Sequence, residues 1–148
     1  MIKNLNFFKV SPKGMENYLN IEKYLSNSKI EKSLQELVKI RVSQINGCAY
    51  CLDMHTKDAV KNGETPQRIY LLNAWDETKL FTKREKLALE LAEKATLLNI
   101  SHFDDNFYER LEEEFSDEEF ADLLILIAQI NSWNKFNVVV GNDIDKNL

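Results

Sequence analysis

The chain has two cysteines and two histidines, and three of these four residues lie in the stretch INGCAYCLDMHTKDAVKNG, residues 45–63. Cys48, Cys51 and His55 are three and four positions apart. We expect one helix here that begins at about Cys48 and ends just before Gly63, a usual helix stop. At 100° per residue, the three side chains lie within about 60° of one another around the helix axis. They therefore share one helix face.

These residue types in this order indicate a redox-active dithiol with its own base. Cys48 lies in the first helical turn, where the partial positive charge and unpaired N–H groups lower the pKa of a thiol. His55 is one turn beyond Cys51, so its imidazole can take the thiol proton. A Cys-x2-Cys pair at the start of a helix also brings two sulfur atoms within reach of a disulfide.

The cluster has three other interpretations. Cysteine is often buried as a small apolar residue, so the grouping could be chance. Because the chain has only two Cys and two His residues, a chance grouping of three of them is improbable. A structural zinc site needs four ligands, and Cys-x2-Cys-x3-His supplies three. The other histidine, His102, stands alone and is expected in an exposed loop or helix start. A thioredoxin would require a βαβ pattern around the motif, which the sequence lacks.

The composition sets the class of protein. A chain of 148 residues predicts a single domain, residues 1–148. The net charge of −5, with basic and acidic residues interleaved, counts against nucleic acid or an anionic membrane as the partner. The first ten residues lack the apolar segment of a signal peptide. The longest apolar run, Leu123–Ala128, is too short to span a bilayer. We therefore expect a cytoplasmic protein, in which a Cys-x2-Cys pair is more often catalytic or metal-binding than structural.

The period of apolar residues is helical nearly throughout, so the predicted fold class is all-α, a compact bundle of about six to seven helices. Three capping boxes are expected, at Ser28 with Glu31, Thr82 with Glu85, and Ser116 with Glu119. Thr65 and Pro66 predict an N-cap followed by proline at the first helical position. Besides the cysteine helix, the predicted helices are about 13–24, one opened by Ser28, 66–75, 83–98, 105–114 and 117–140.

The last predicted helix contains LLILIAQI, residues 123–130, which is apolar on every side for two turns. Such a helix is normally buried all round, and a domain of this size has little room to enclose one. Either a neighbouring subunit covers it, or it is the central helix of a monomeric bundle.

The segment SQINGCAYCLDMHTKDAVKNGETPQRIYLLNAW, residues 43–75, resembles the core of alkylhydroperoxidase AhpD-like proteins in the carboxymuconolactone decarboxylase superfamily. The strong resemblance covers about residues 36–75, and INSWNKFNVVVG near the C-terminus, residues 130–141, is a weaker echo. The resemblance implies an all-helical AhpD-like fold without a cofactor or a metal. It also implies a homo-trimer or homo-hexamer.

By this resemblance the catalytic residues are Cys48, Cys51, His55 and Glu36, which lies twelve residues before the first cysteine. Cys51 would be oxidised by peroxide to a sulfenic acid, and Cys48 would donate a proton and then close the disulfide. Glu36 would orient or recharge His55. Periodicity alone would instead make Glu36 a solvated carboxylate, because it lies across its helix from the apolar stripe.

One residue departs from the pattern. AhpD enzymes carry a histidine directly before the second cysteine, and this chain has Tyr50. A phenol with a pKa near 10 cannot shuttle protons at neutral pH as an imidazole does. We therefore expect either a shorter proton relay than in those enzymes or a simple packing role for Tyr50.

The sequence thus predicts a peroxidase or thiol–disulfide oxidoreductase that acts on a peroxide or a small disulfide. A thiol reductant must regenerate it, of the kind of a peroxiredoxin, a lipoyl protein or a thioredoxin. Two alternatives remain, a decarboxylase-type lyase and a redox sensor that does not turn over. The large aromatic residues are expected in the core or at subunit contacts rather than around a ligand: Phe7, Phe8, Trp75, Trp133 and Phe136.

Overall fold

Local sequence signals set most of the helix ends in the computed structural model, which describes residues 1–144. These residues contain no strand, and the all-α prediction is confirmed. Six of the α-helices have ten or more residues. The α-helices are α1 (Phe7–Val10), α2 (Pro12–Ser26), α3 (Lys32–Asn46), α4 (Ala49–Lys61), α5 (Pro66–Tyr70), α6 (Lys83–Thr96), α7 (Asp105–Glu114) and α8 (Asp117–Val140), and a 3-10 helix (Leu72–Glu77) follows α5.

Two of the three predicted capping boxes form. Thr82 opens α6 with Glu85, and Ser116 opens α8 with Glu119, each pair bonding side chain to backbone in both directions. Thr65 also caps α5 as predicted. The helix expected to run on to residue 75 is shorter, because the chain tightens into the 3-10 helix after α5.

The capping box predicted at Ser28 and Glu31 is wrong. Helix α3 begins at Lys32, and its N-cap residue Glu31 makes no side-chain cap bond. Other partners take both groups: the Ser28 hydroxyl accepts a hydrogen bond from Gln35 at 3.3 Å, and the Glu31 carboxylate pairs with Arg84 at 3.0 Å. A tertiary ion pair and a buried amide thus replace the local cap.

Helix α3 lies at the centre of the fold and packs against α4, α6 and α8. Its apolar residues divide between two core clusters. Leu34, Val38 and Val42 face the larger cluster, which α6, α7 and α8 complete. Leu37 and Ile40 face a smaller one, closed by α4, α5 and the 3-10 helix. Because apolar residues on both sides of α3 are buried, the orientation of the helix is fixed. The directions of its other side chains, including that of Glu36, are fixed with it.

Helix α8 is only partly covered within the chain. Leu123, Leu126, Ile127 and Ile130 are at most 2% exposed, whereas Leu124 and its neighbour Ile125 are 37% and 39% exposed. The apolar run LLILIAQI therefore has one face in the core and one face open.

By length and mean hydropathy, α8 would qualify as a membrane span. Its buried face nevertheless carries polar groups with partners inside the domain. Asp122 accepts a hydrogen bond from Tyr24, and Gln129 donates one to the carbonyl oxygen of Tyr18. Asn134 donates to Ser43 of α3. These contacts are those of a core helix, because buried polar groups must be paired within the fold.

Candidate active site

A tight turn at Gly47 places the dithiol. Gly47 ends α3 with a φ of +66°, a left-handed conformation that glycine adopts without steric cost. The next residue, Cys48, is the N-cap of α4, and its sulfur accepts a hydrogen bond from the backbone N–H of Cys51. Cys48 therefore lies at the positive end of α4, which begins at Ala49, one residue after the helix start that the sequence predicted.

Cys48 and Cys51 are joined by a disulfide, with their Cα atoms 5.3 Å apart. Each residue is 1% exposed. Cys51 lines a cavity of about 540 Å³, whereas Cys48 is not among the residues of the cavity wall. A molecule in the cavity thus meets Cys51 first.

His55 follows Cys51 by one turn of α4 and lines the same cavity. Its Nδ1 atom lies 2.9 Å from Oε2 of Glu36 on α3, and the two side chains are 10% and 12% exposed. Because Glu36 engages Nδ1, the Nε2 atom is left for proton exchange with the dithiol or a substrate.

Glu36 is held as a carboxylate. Burial by itself would raise the pKa of Glu36, but the hydrogen bond with His55 and the charge of Lys39 outweigh burial and hold that pKa below its usual range. The Nζ atom of Lys39 lies 3.1 Å from the other carboxylate oxygen. The solvated carboxylate that periodicity suggested is wrong, since the packing of α3 against α4 buries it.

The cavity wall includes a group of large apolar and aromatic side chains. Helices α1, α4 and α8 supply six large side chains, Phe7, Phe8, Tyr50, Met54, Trp133 and Phe136. The rings of Phe7 and Phe136 are 5.0 Å apart between centroids. Four of the residues that the sequence assigned to the core or to subunit contacts therefore border the cavity beside the dithiol. Trp75 packs against the smaller core cluster, as predicted.

One amide side chain reaches the dithiol from α8. The Nδ2 atom of Asn137 lies 3.7 Å from Sγ of Cys51. Asn137 also lines the cavity. Sequence reasoning missed this residue, and the one signal that pointed to it was the weaker C-terminal resemblance at residues 130–141.

Glu36, His55 and Asp58 could offer one ligand atom each to a metal ion, since these atoms lie within 4.8 Å of one another. The Lys39 ammonium group already compensates the charge of Glu36, and a cation there would meet like charge. The arrangement therefore suits a proton relay better than a metal centre.

His102 stays apart from the site, and so does Asp53 of α4. His102 is exposed in the loop between α6 and α7, where its backbone carbonyl accepts a hydrogen bond from Lys94. Asp53 pairs with Lys57 at 2.8 Å on the outer side of α4. Tyr50, which precedes Cys51, is 40% exposed at the cavity.

The fold and site together define an AhpD-like helical domain that carries a Cys-x2-Cys dithiol. The sequence pattern of the carboxymuconolactone decarboxylase family matches residues 11–94, more than half of the chain, and the chain belongs to that family.

Several known proteins are similar to this chain. The uncharacterized protein YdfG of Bacillus subtilis (strain 168) is 46% identical over 142 residues, covering 96% of this chain and 97% of the relative. The crystal structure of a protein of unknown function from Agrobacterium tumefaciens, a candidate antioxidant defence protein AhpD, is 32% identical with a TM-score of 0.90 and covers 97% of this chain and 98% of that one. A variant of the debrominase Bmp8, solved in complex with 2,3,4-tribromopyrrole, has a TM-score of 0.77 at 17% identity. The match covers 92% of this chain and 73% of the debrominase, and at this identity it shows a shared fold alone.

Proposed function

We propose that this protein is a thiol-dependent peroxidase or disulfide oxidoreductase of antioxidant defence. One observation carries the proposal: Cys51 of the disulfide and His55 line the same cavity, and Glu36 engages the imidazole at 2.9 Å. A nucleophile, a base one turn away and a third group that orients the base are the usual parts of an activated thiol.

In the oxidising half-reaction, His55 takes the proton of Cys51, and the thiolate attacks the terminal oxygen of a hydroperoxide. The S–O bond forms as the O–O bond breaks, which leaves a sulfenic acid on Cys51 and an alkoxide. Cys48 protonates the alkoxide, and the alcohol departs. The Cys48 thiolate then attacks Sγ of Cys51, and the displaced hydroxide takes the proton from His55 to become water.

In the reducing half-reaction, an external thiol reductant returns two electrons to the disulfide. Its thiolate attacks one sulfur to form a mixed disulfide, and its second thiol completes the exchange. A peroxiredoxin, a lipoyl protein or a thioredoxin has the required chemistry. A small disulfide would instead be reduced by the dithiol. The Cys51 thiolate would attack it to form a mixed disulfide, and Cys48 would then displace the second thiol and close the protein's disulfide.

The aromatic side chains in the cavity wall favour an organic substrate over hydrogen peroxide. Phe7, Trp133 and Phe136 can bury an apolar group, which releases about 25 cal/mol per Å² of apolar surface. An alkyl or aryl hydroperoxide, or an apolar disulfide, gains this energy, whereas hydrogen peroxide has no apolar surface to bury. Tyr50 then contributes packing at the cavity rather than proton transfer.

Two alternatives differ in their use of the dithiol. A decarboxylase-type lyase would not depend on the disulfide, and a redox sensor would react once with peroxide and not turn over. The likeness to a debrominase lies in the fold, so it favours no particular substrate. The buried disulfide beside a histidine–glutamate pair supports the oxidoreductase over the lyase.

We further propose a cytoplasmic homo-trimer or homo-hexamer. The exposed apolar residues of α8, Leu124 and Ile125, support it because a neighbouring subunit would remove them from water.

Intact-mass thiol counting tests the function. The reduced protein receives one equivalent of an aryl hydroperoxide and is then alkylated. We expect a loss of two hydrogen atoms, no alkylation, and full recovery of both thiols with a dithiol reductant. Repeated turnover with excess peroxide and reductant distinguishes the enzyme from the sensor. Failure of Cys48 and Cys51 to form the disulfide would contradict the proposal.

A further inference from the structure

The amide of Asn137 has a defined orientation at the dithiol. Its Nδ2 atom lies 2.9 Å from the backbone carbonyl oxygen of Trp133 and 3.7 Å from Sγ of Cys51. The NH₂ group has two hydrogens, so it can donate one to each acceptor. A hydrogen bond to sulfur is longer than one to oxygen because the sulfur atom is larger.

Asn142 holds this amide from the opposite side. The side-chain Nδ2 of Asn142 donates to Oδ1 of Asn137 at 2.8 Å, and the backbone N–H of Asn142 donates to the backbone oxygen of Asn137 at 3.0 Å. Gly141 makes this return possible, since its φ of +68° ends α8 in the left-handed conformation. The oxygen of Asn137 must face the Asn142 donor, so its NH₂ group faces the sulfur.

Cys51 needs such a donor. The residue is 1% exposed, and burial disfavours a thiolate unless nearby groups stabilise its charge. Its own backbone N–H is engaged by the sulfur of Cys48. Within the described residues, the hydrogen bond to Sγ of Cys51 comes from Asn137.

We propose that Asn137 is a catalytic residue that stabilises negative charge on Sγ of Cys51, and that Asn142 is the positioning residue that turns its NH₂ group to the sulfur. The reaction in which this charge appears rests on the proposed function. The charge itself exists in any reduced form of the dithiol. A thiolate accepts a hydrogen bond more strongly than a disulfide sulfur does, so the contact favours the reduced state.

The test measures Cys51 alone. Cys48→Ser leaves Cys51 as the single thiol, and the rate of its alkylation by iodoacetamide is followed against pH. The other titratable groups around this sulfur are His55, Tyr50 and Glu22 at the cavity and Glu36 behind His55, and they stay unchanged.

In that background, Asn137→Ala is expected to raise the alkylation midpoint by about one pH unit, a tenfold smaller thiolate fraction at neutral pH. Asn142→Leu tests the positioning role without adding a charge. It removes the donor to Oδ1 of Asn137, so the hydrogen bond to Trp133 alone orients the amide. We expect a smaller rise in the midpoint, although no atom next to the sulfur has been replaced.

With both cysteines present, equilibration against glutathione gives a second readout. At a pH above both alkylation midpoints, Asn137→Ala should shift the equilibrium about tenfold toward the disulfide, which corresponds to a potential about 30 mV lower. The control is Asn134→Ala, which removes a buried amide of the same helix that bonds Ser43 of α3. Loss of stability without a shifted midpoint or potential is expected there.

The outcomes separate the two proposals. An unchanged midpoint in folded Asn137→Ala overturns the role of Asn137, whatever the protein does with peroxide. An unchanged midpoint in Asn142→Leu overturns the positioning role. A shifted midpoint in a protein that never forms a disulfide with peroxide supports this inference and contradicts the proposed function.

Discussion

Nδ1 of His55 lies 2.9 Å from Oε2 of Glu36, and this contact joins α4 to α3 beside the disulfide. The two residues are 19 positions apart in the sequence. Glu36 can fix the ring orientation and leave Nε2 for proton transfer, while Lys39 balances the charge of the pair. The relay is therefore built across two helices.

Substitution of either His55 or Glu36 should slow the reaction of the dithiol with peroxide. We expect His55→Ala to lower the rate of Cys51 oxidation by roughly 10²-fold and Glu36→Gln by roughly tenfold, since the glutamine keeps the shape but not the charge. Stopped-flow measurement of thiol consumption gives both rates. Asp53→Asn is the matched control, a carboxylate of α4 that pairs with Lys57 away from the cavity. If Glu36→Gln oxidises Cys51 at the wild-type rate, Glu36 has no role in the proton relay.

Glu36 should also contribute to the acid sensitivity of the fold. Its pKa is lowered in the folded protein, so its stabilising contribution is present above the ordinary value of 4.5 and is lost as pH falls through the lower folded value. The free energy of unfolding of the wild type minus that of Glu36→Gln should therefore decrease below pH 4.5. Urea unfolding at neutral and acidic pH measures it. A constant difference would show that Glu36 has an unperturbed pKa.

The two cysteines should differ in their reaction with peroxide, because Cys51 lines the cavity and Cys48 caps α4. Cys48→Ser should react once and leave a sulfenic acid on Cys51 that dimedone traps, without further cycling. Cys51→Ser should react far more slowly. If Cys48 proves the faster nucleophile in single-turnover kinetics, their roles must be exchanged.

The turn between α3 and α4 should tolerate only residues that accept a positive φ. Gly47→Ala is expected to cost roughly 1–2 kcal/mol of stability, because a Cβ atom is strained at this backbone conformation. No neighbour within 4 Å would clash with that Cβ, so the cost comes from the backbone. Gly47→Asn should cost less, since asparagine visits the left-handed region more readily. Equal stability of the three proteins would refute this explanation.

The assembly prediction concerns the open face of α8. A trimer or hexamer should elute in size exclusion with light scattering at low micromolar concentration, rather than a 17.3 kDa monomer. Ile125→Asp should lower the measured mass, because it places a charge on the exposed apolar face. Lys61→Glu, an exposed charge change on α4, serves as the control. A stable wild-type monomer would contradict the assembly.

Features that depend on neighbours along one helix could be predicted from the sequence. The positions of Cys48, Cys51 and His55 follow from helical periodicity, which places residues three and four apart on one face. The capping boxes at Thr82 and Ser116 form for the same reason, since the groups that bond lie within one turn. The box at Ser28 failed because partners from elsewhere in the chain took both groups.

The amino-acid sequence by itself determined the helical class, the dithiol and its histidine, because each depends on residues that a single helix keeps adjacent. The tertiary structure alone decided that Glu36 is buried against His55, that five aromatic residues border the cavity, and that Asn137 reaches Cys51 from 86 positions away. Those contacts depend on how α3 and α8 pack against α4 and on the position of α1 at the cavity. Packing follows from burial of whole helix faces, so no local pattern in any one of these segments specifies which polar side chain arrives at the sulfur.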